Sequence, residues 1–302
     1  HSDNLAQTAL FWDQRGFQDR YVALWQEIAR RYRGNPAIAG YDLLNEPQTN
    51  AWSEQIYGEF RPDWKSLNAI YRRTVTAIRE VDPEHIIFLE GDGFASRFSG
   101  LDEPWEANLA YSCHFYDRPG WGPGPYPGLH REGYWDRQKI AQVFQTREWS
   151  QFTQRYQAPL WVGEFGSVFN GRLEEREDRL RGLRDTLDVF EACAAHWTAW
   201  TYKDLGVMGW VTVRPESEFC QVLKSILRAK DSLLTDTWMY WLPKPAAHLL
   251  LGDLAKLIAG QGGELGVSPA EIQGQLAKAA LAGTAGRLLQ LPFARCFEKM
   301  SE

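Results

Sequence analysis

Short apolar runs alternate with longer amphipathic stretches along the first two thirds of the chain. The runs are bounded by Gly, Pro and charged residues, are too short for helices, and predict buried strands. They end near residues 46, 90, 116, 164 and 202. In the stretches between them, apolar residues recur every three or four positions, over residues 17–32, 66–81, 135–156 and 173–194. Strands that alternate with amphipathic helices predict an α/β fold with a parallel sheet.

The pattern becomes purely helical near residue 220. Helices are predicted over residues 219–234 and 245–259 and from Ser268 onward, where Ser, Pro and Glu form a helix start signal. This tail has no strand pattern and no obvious chemistry. We therefore expect two parts, an α/β domain over residues 1–220 and a helical segment over residues 221–302 packed on it.

The most informative strand is the one that runs from Gly40 into Asn45, Glu46 and Pro47. Proline cannot continue a strand ladder, so Pro47 ends the strand and leaves Glu46 at its carboxyl end. In parallel α/β folds, this edge of the sheet is where chemistry is done. A lone glutamate at such a position is more often simply a solvated residue.

A second strand, from Pro159 to Phe165, carries Glu164 near its end in the same way. Two glutamates at the ends of two buried strands meet the requirement of glycoside hydrolysis, in which one acts as acid and base and the other as nucleophile or base. The pair is much less easily explained as chance than either glutamate alone. For a retaining reaction, we expect a carboxyl separation of about 5–5.5 Å.

Composition narrows the classes of partner. The chain has 302 residues and a net charge of −6, with no basic stripe, which argues against nucleic acid and anionic membranes as main partners. Aromatic residues make up 14% of the chain, and they serve either a large core or stacking against sugar rings. The chain contains no apolar stretch of about 18 residues, so no membrane span is predicted.

The four cysteines are scattered and have neither CxxC nor Cys/His spacing. We therefore expect no disulfide framework and no metal site. The first residues are not a signal peptide, and the localisation stays open.

Four motifs occur in an order that resembles glycoside hydrolase family 5, the cellulase family. The motifs are Asn45-Glu46-Pro47, His114-Phe115-Tyr116, Trp161-Val162-Gly163-Glu164-Phe165-Gly166 and Trp200-Thr201-Tyr202-Lys203-Asp204. The resemblance covers roughly residues 1–220. It implies a (β/α)8 TIM-type barrel, of which the chain supplies the fourth to eighth strands.

The resemblance also implies a role for each matched residue. Glu46 corresponds to the acid/base and Glu164 to the nucleophile. Asn45 corresponds to the residue that binds the sugar 2-hydroxyl, His114 and Tyr116 to the pair beside the nucleophile, and Trp200 to the stacking platform. Taken singly, the histidine and the aromatic residues would more often be core residues.

A Pro/Gly-rich loop over residues 120–128 is predicted to lack regular structure. Its aromatic residues and the histidine that follows are weaker candidates for outer sugar subsites. They are Trp121, Tyr126 and His130.

The resemblance implies a cofactor-free retaining glycosidase acting on a β-linked oligo- or polysaccharide, monomeric at full length. Endoglucanase action is favoured, while β-1,3-glucan, β-mannan and a glycolipid headgroup stay open as substrates. The rival hypothesis is an inactive carbohydrate-binding fragment.

That rival rests on the family's first three strands, which have no counterpart here, together with an arginine and a histidine that follow two of them. The chain would then begin in the loop after the third strand. We expect an open five-stranded sheet with unpaired edges, and poor solubility and no activity for residues 1–302 expressed alone.

Overall fold

The computed structural model describes residues 10–49, 61–117, 124–130, 132–169, 173–203, 208–214, 216–233 and 286–298, with short pieces at 253–254, 256–258, 260 and 276. The chain divides into two compact units, His1–Trp200 and Thr201–Glu302. The boundary expected near residue 220 stays a prediction.

The first unit is built on a five-stranded parallel sheet. Its strands are β1 (Gly40–Asp42), β2 (Ile86–Glu90), β3 (Leu109–Phe115), β6 (Leu160–Phe165) and β7 (His196–Trp197), in the order β1-β2-β3-β6-β7. Each strand pairs with the next strand of this sheet along the chain, which is the connectivity of a barrel wall. The predicted incomplete (β/α) barrel is confirmed.

Helices connect and flank these strands. They are α1 (Leu10–Asp13), α2 (Arg15–Tyr32), α3 (Trp64–Arg79), α4 (Arg137–Thr146), α5 (Glu148–Tyr156) and α6 (Leu173–Ala192) in the first unit, and α7 (Glu218–Leu233) and α8 (Gly286–Cys296) in the second. A left-handed turn with positive φ at three successive residues follows β2 over Asp92–Ala95.

Two strands are shorter than the apolar runs predicted. β1 covers three residues, and Leu43 N–H still donates to Phe88 O (3.3 Å) before the chain leaves the sheet short of Glu46. β7 covers two residues, although Trp200 N–H continues to bond to Phe165 O (2.9 Å). The sequence overestimates strand length because the apolar residues continue beyond the last residues that form a regular strand ladder.

The stretch predicted as one helix over residues 135–156 is two helices separated at Arg147, whose backbone is extended. Upstream of it, the loop predicted to be irregular contains a hairpin of β4 (Gly128–His130) and β5 (Gly133–Trp135). Gly133 has φ +114°, a conformation that a glycine adopts without strain, and this allows the tight turn.

Alternate residues of the strands face the helices and form the core. Phe190 of α6 is fully buried, with its ring centroid 5.0 Å from Phe165, 5.1 Å from Phe144 and 5.7 Å from Phe115. These rings come from two strands and two helices. The sheet and its helical layer are therefore joined by aromatic packing.

The other face of the sheet is apolar at the amino ends of the strands. Phe88 and Trp161 pack edge to face there, with centroids 4.4 Å apart. A cavity of about 810 Å³ lies at this end, lined in part by Ala39, Leu160 and Trp197. None of the predicted site residues lines it, so the cavity is separate from the candidate chemistry.

The second unit is described in part. Within it, Phe219 of α7 lies 6.0 Å from Phe297, and Phe293 of α8 lies 5.1 Å from the same ring. The helices predicted over residues 245–259 and from Ser268 lie largely outside the described residues. Among the helices that the structure describes, none combines the length and hydropathy needed to cross a bilayer.

Phe190→Ala should lower the free energy of unfolding by about 3–5 kcal/mol, because it removes a fully buried ring and leaves a cavity. Phe17→Ala, at a position 46% exposed, should change it by less than about 0.5 kcal/mol. Urea titration followed by tryptophan fluorescence measures both. Equal effects would show that the aromatic layer does not hold the unit together.

Candidate active site

Glu46 lies beyond β1 in a backbone conformation that glutamate rarely adopts. Its φ is +47°, in the left-handed region, and this turns the chain away from the sheet. Its N–H donates to Glu90 Oε2 at 2.6 Å. The Glu46 side chain is 13% exposed, which leaves its carboxylate at the surface of the concave side of the sheet.

Glu164 is positioned by an irregularity in the pairing of β3 with β6. The register places Cys113 opposite Val162 and then His114 opposite Glu164, so Gly163 is an extra residue in β6. A Cβ at Gly163 would lie 2.6 Å from Ser112 Oγ, closer than side chains approach. The bulge turns Glu164 toward His114, and a larger residue at position 163 would have to displace the Ser112 hydroxyl.

His114 lies between the two glutamates. Its Nδ1 is 2.7 Å from Glu46 Oε1 and 3.5 Å from Glu164 Oε2. One oxygen of each glutamate and a ring nitrogen of His114 all lie within 4.8 Å of one another. The structure thus brings together the two carboxylates that the sequence pattern had paired.

Tyr116 completes this cluster from the strand end next to His114. Its hydroxyl donates to Glu164 Oε2 at 2.8 Å. Burial and the neighbouring Glu164 charge raise the pKa of Tyr116, so the phenol keeps its proton. Tyr116 therefore acts on Glu164 as a neutral hydrogen-bond donor.

The protonation of His114 depends on its carboxylate neighbours. Burial alone would lower its pKa, but Glu46, Glu90 and Glu164 overcome this and raise the pKa to about 10. Burial raises the pKa of Glu164, while His114 and Tyr116 oppose that rise. A protonated His114 at neutral pH is thus the positive charge among these carboxylates.

The same three groups are spaced as ligands of a cation would be. The 2.7 Å contact between His114 Nδ1 and Glu46 Oε1 also has the length of a hydrogen bond, which accounts for this contact by itself. The expectation from the sequence that there is no metal site stays a prediction.

The remaining predicted residues lie next to this cluster along the chain or the sheet. Asn45 is exposed and immediately precedes Glu46. Trp200 is 39% exposed and is held at the end of β6 by its N–H bond to Phe165 O. Both are at the sheet's carboxyl edge, and their roles toward a substrate are proposals.

Of the weaker candidates for outer subsites, Tyr126 is a core residue. It is 1% exposed, and its hydroxyl donates to Asp185 at 2.6 Å. Its carbonyl accepts from Arg181 Nε at 3.1 Å, which ties the loop to α6. His130 bonds to Pro125 O at 2.8 Å, and Trp121 lies outside the described residues.

Sequence reasoning missed Glu90, which is fully buried beneath Glu46 and His114. Its Oε1 lies 3.3 Å from His114 Nε2. Two signals in the sequence could have identified it. Glu90 ends an apolar strand, and it lies two positions after Phe88, so it shares the concave side with that residue.

A parallel β/α sheet with paired glutamates at its carboxyl edge is the arrangement of the barrel-type glycoside hydrolases. The chain belongs to the cellulase family (glycosyl hydrolase family 5), whose model matches residues 2–206. The family suggested by the four motifs is confirmed.

The relatives found by sequence are longer than the region that this chain matches. A β-xylosidase of Phanerodontia chrysosporium is 35% identical over 249 residues, which are 79% of this chain and 48% of the relative. An endoglucanase of Paenibacillus polymyxa is 28% identical, over 53% of this chain and 42% of the relative. The chain thus spans about half the length of these relatives or less.

Solved structures show the same fold at lower identity. The cellulose synthase subunit Z of Clostridioides difficile has a TM-score of 0.52 at 18% identity, covering 65% of this chain and 63% of that one. A hyperthermophilic endo-β-1,4-glucanase has a TM-score of 0.53 at 16% identity, covering 70% of this chain and 67% of that one. These matches support the incomplete barrel.

His114→Asn should remove a pH-dependent part of the stability. The pKa of His114 rises from 6.5 to about 10 on folding, so the stabilisation is full below pH 6.5 and is lost as pH rises through 10. The difference in free energy of unfolding between wild type and variant should shrink over that interval. Denaturant titrations at several pH values measure it, and a constant difference would contradict a protonated His114.

Proposed function

We propose that this protein is a retaining β-glycosidase that cleaves β-linked glucans by double displacement. The observation that carries the proposal is the approach of Glu46 and Glu164 oxygens to within 4.8 Å. Retaining enzymes hold their carboxyl groups about 5–5.5 Å apart, whereas inverting enzymes need about 6.5–9.5 Å to fit a water molecule. The short separation supports retention.

In the first step, Glu164 attacks the anomeric carbon as Glu46 gives its proton to the departing glycosidic oxygen. The bond from the anomeric carbon to that oxygen breaks, and an ester bond to Glu164 forms. The hydrogen bond from Tyr116 and the charge of His114 favour the ionised form of Glu164, which is the form that attacks.

In the second step, Glu46 accepts a proton from water as the water oxygen attacks the anomeric carbon. The ester bond breaks and Glu164 regains its charge. Because ester formation had removed that charge, Glu46 no longer faces the charge of Glu164 and can act as the base. Two inversions at one carbon retain its configuration.

Substrate binding is assigned to residues at the same edge of the sheet. Asn45 would bind the sugar 2-hydroxyl, and Trp200, which is 39% exposed, would stack against the sugar ring. His114 and Tyr116 would hold Glu164 for attack.

The substrate class within β-glycosides is open to a direct test. Relatives carry the names β-xylosidase, endoglucanase and endoglycoceramidase. A panel of aryl β-glucoside, β-cellobioside, β-xyloside and β-mannoside, with laminarin and glucosylceramide, separates these possibilities. We expect the β-cellobioside to be cleaved with the highest kcat/KM, and a preference for the xyloside would replace the glucan assignment.

In the full-length enzyme, Glu164→Ala should abolish turnover but regain activity on an activated aryl glycoside when azide is added, because a small anion replaces the missing nucleophile. Glu46→Ala should retain activity on activated leaving groups and lose about 100-fold or more on poor ones, which alone need protonation. Release of the aryl group and NMR of the azide product measure these effects.

The exposed Glu103 offers a control of the same residue type. Glu103→Ala should keep wild-type kinetics on every substrate. Equal losses for Glu46→Ala and Glu164→Ala across leaving groups, or no azide product, would contradict the assigned roles. A product of inverted configuration from the wild type would exclude double displacement.

A further inference from the structure

We infer that Glu90 is a positioning residue. From beneath the site, it holds the acid/base Glu46 and the neighbouring His114 in the arrangement that the reaction requires. The inference rests on the proposed function and goes beyond it, because none of the four motifs that define the site contains Glu90. It depends on two contacts from one buried carboxylate, one from each of its oxygens.

The first contact is with the backbone of Glu46. Glu90 Oε2 accepts the Glu46 N–H at 2.6 Å, and the carboxylate side chain is 1% exposed. Glu46 has φ +47°, which a residue with a Cβ adopts only where its surroundings enforce it. A charge-assisted hydrogen bond to its own N–H is such an enforcement. Glu90 therefore fixes the direction in which the Glu46 side chain leaves the backbone.

The second contact is with His114. Glu90 Oε1 makes no geometrically sound hydrogen bond within the described residues, and it lies 3.3 Å from His114 Nε2. The other ring nitrogen of His114 is 2.7 Å from Glu46 Oε1. The Glu90 carboxylate thus acts on Glu46 in two ways. It bonds the backbone N–H of Glu46 directly, and it contacts the His114 imidazole, which bonds the side chain of Glu46.

Other groups around Glu90 do not duplicate these contacts. Burial and the neighbouring Glu90 raise the pKa of Asp42 in β1 well above its usual range, and the same two causes raise the pKa of the Cys113 thiol in β3. Tyr71 of α3 donates to the Glu90 carbonyl at 2.8 Å, and Tyr21 of α2 lies within its electrostatic reach. Among these neighbours, His114 is the one cation, so the carboxylate of Glu90 is matched to it.

The chain offers a carboxylate of the same kind away from the site. Asp82 is 1% exposed, accepts from the backbone N–H groups of Glu84 and His85, and lies 2.5 Å from His85 Nδ1. It precedes β2, whereas Glu90 ends it. Loss of either carboxylate should lower stability, but of the two only Glu90 contacts Glu46 and His114.

The test compares Glu90→Gln, Glu90→Leu and Asp82→Asn in the expressed full-length protein. Glu90→Leu should lower kcat by about 100-fold on substrates with poor leaving groups and leave KM unchanged, because it displaces the acid. Activated leaving groups should be much less affected. Glu90→Gln keeps an acceptor for the Glu46 N–H and should recover part of the loss. Asp82→Asn should lower the melting temperature without changing the leaving-group dependence.

A second measurement does not depend on activity. The imidazole of His114 is followed by NMR of protein labelled with ¹⁵N-histidine, in wild type and in Glu90→Gln. Removal of the Glu90 charge should lower the pKa of His114 below the wild-type value of about 10, whereas Asp82→Asn should leave it unchanged.

The outcomes separate the two proposals. An active wild type whose Glu90→Leu variant keeps the wild-type leaving-group dependence would overturn the positioning role and leave the glycosidase assignment standing. A full-length protein inactive on every β-glycoside would overturn the glycosidase assignment. In that case the titration of His114 decides whether Glu90 controls it, and an unchanged pKa in Glu90→Gln would reject the inference.

Discussion

The pairing of β3 with β6 determines whether the site can exist. Side chains alternate along a strand, so a regular β6 would place Gly163 and Glu164 on opposite sides of the sheet. The register shift after Cys113 inserts Gly163 as an extra residue and sets Glu164 opposite His114. A Cβ at Gly163 would lie 2.6 Å from Ser112 Oγ, so a larger residue there would have to displace that hydroxyl. The glutamate pair therefore rests on one irregular step in the central pairing.

Charge is the second constraint on this side of the sheet. Three glutamates, at positions 46, 90 and 164, surround a single imidazole, and two of its contacts to them are 2.7 and 3.3 Å long. Carboxylates this close repel one another in a half-buried site, and a cation between them relieves the repulsion. His114 is thus the group that reduces the repulsion between these carboxylates. Taken alone, it would be most simply explained as a core histidine.

The sequence predicted the sheet and the glutamate pair well, because apolar runs and strand-end carboxylates are local signals. It overestimated β1, since the turn at Glu46 depends on a hydrogen bond to Glu90, 44 residues further along the chain. It missed the break at Arg147, where Glu148 accepts the backbone N–H groups of Phe98 and Ser99. Features that arise from contacts between distant segments leave no period in the sequence, and the bulge at Gly163 is of the same kind.

The left-handed backbone at Glu46 has a consequence for how this protein can change. A residue with a Cβ in that conformation costs about 1 kcal/mol or more, which glycine at the same position would not incur. The least strained occupant of the position is therefore one that cannot transfer a proton. Relief of backbone strain favours loss of the carboxylate, whereas its hydrogen bond with His114 opposes that loss, so the two effects on stability compete at this single residue. A screen that rewards folding without assaying turnover would therefore report, at this position, which of the two effects is larger.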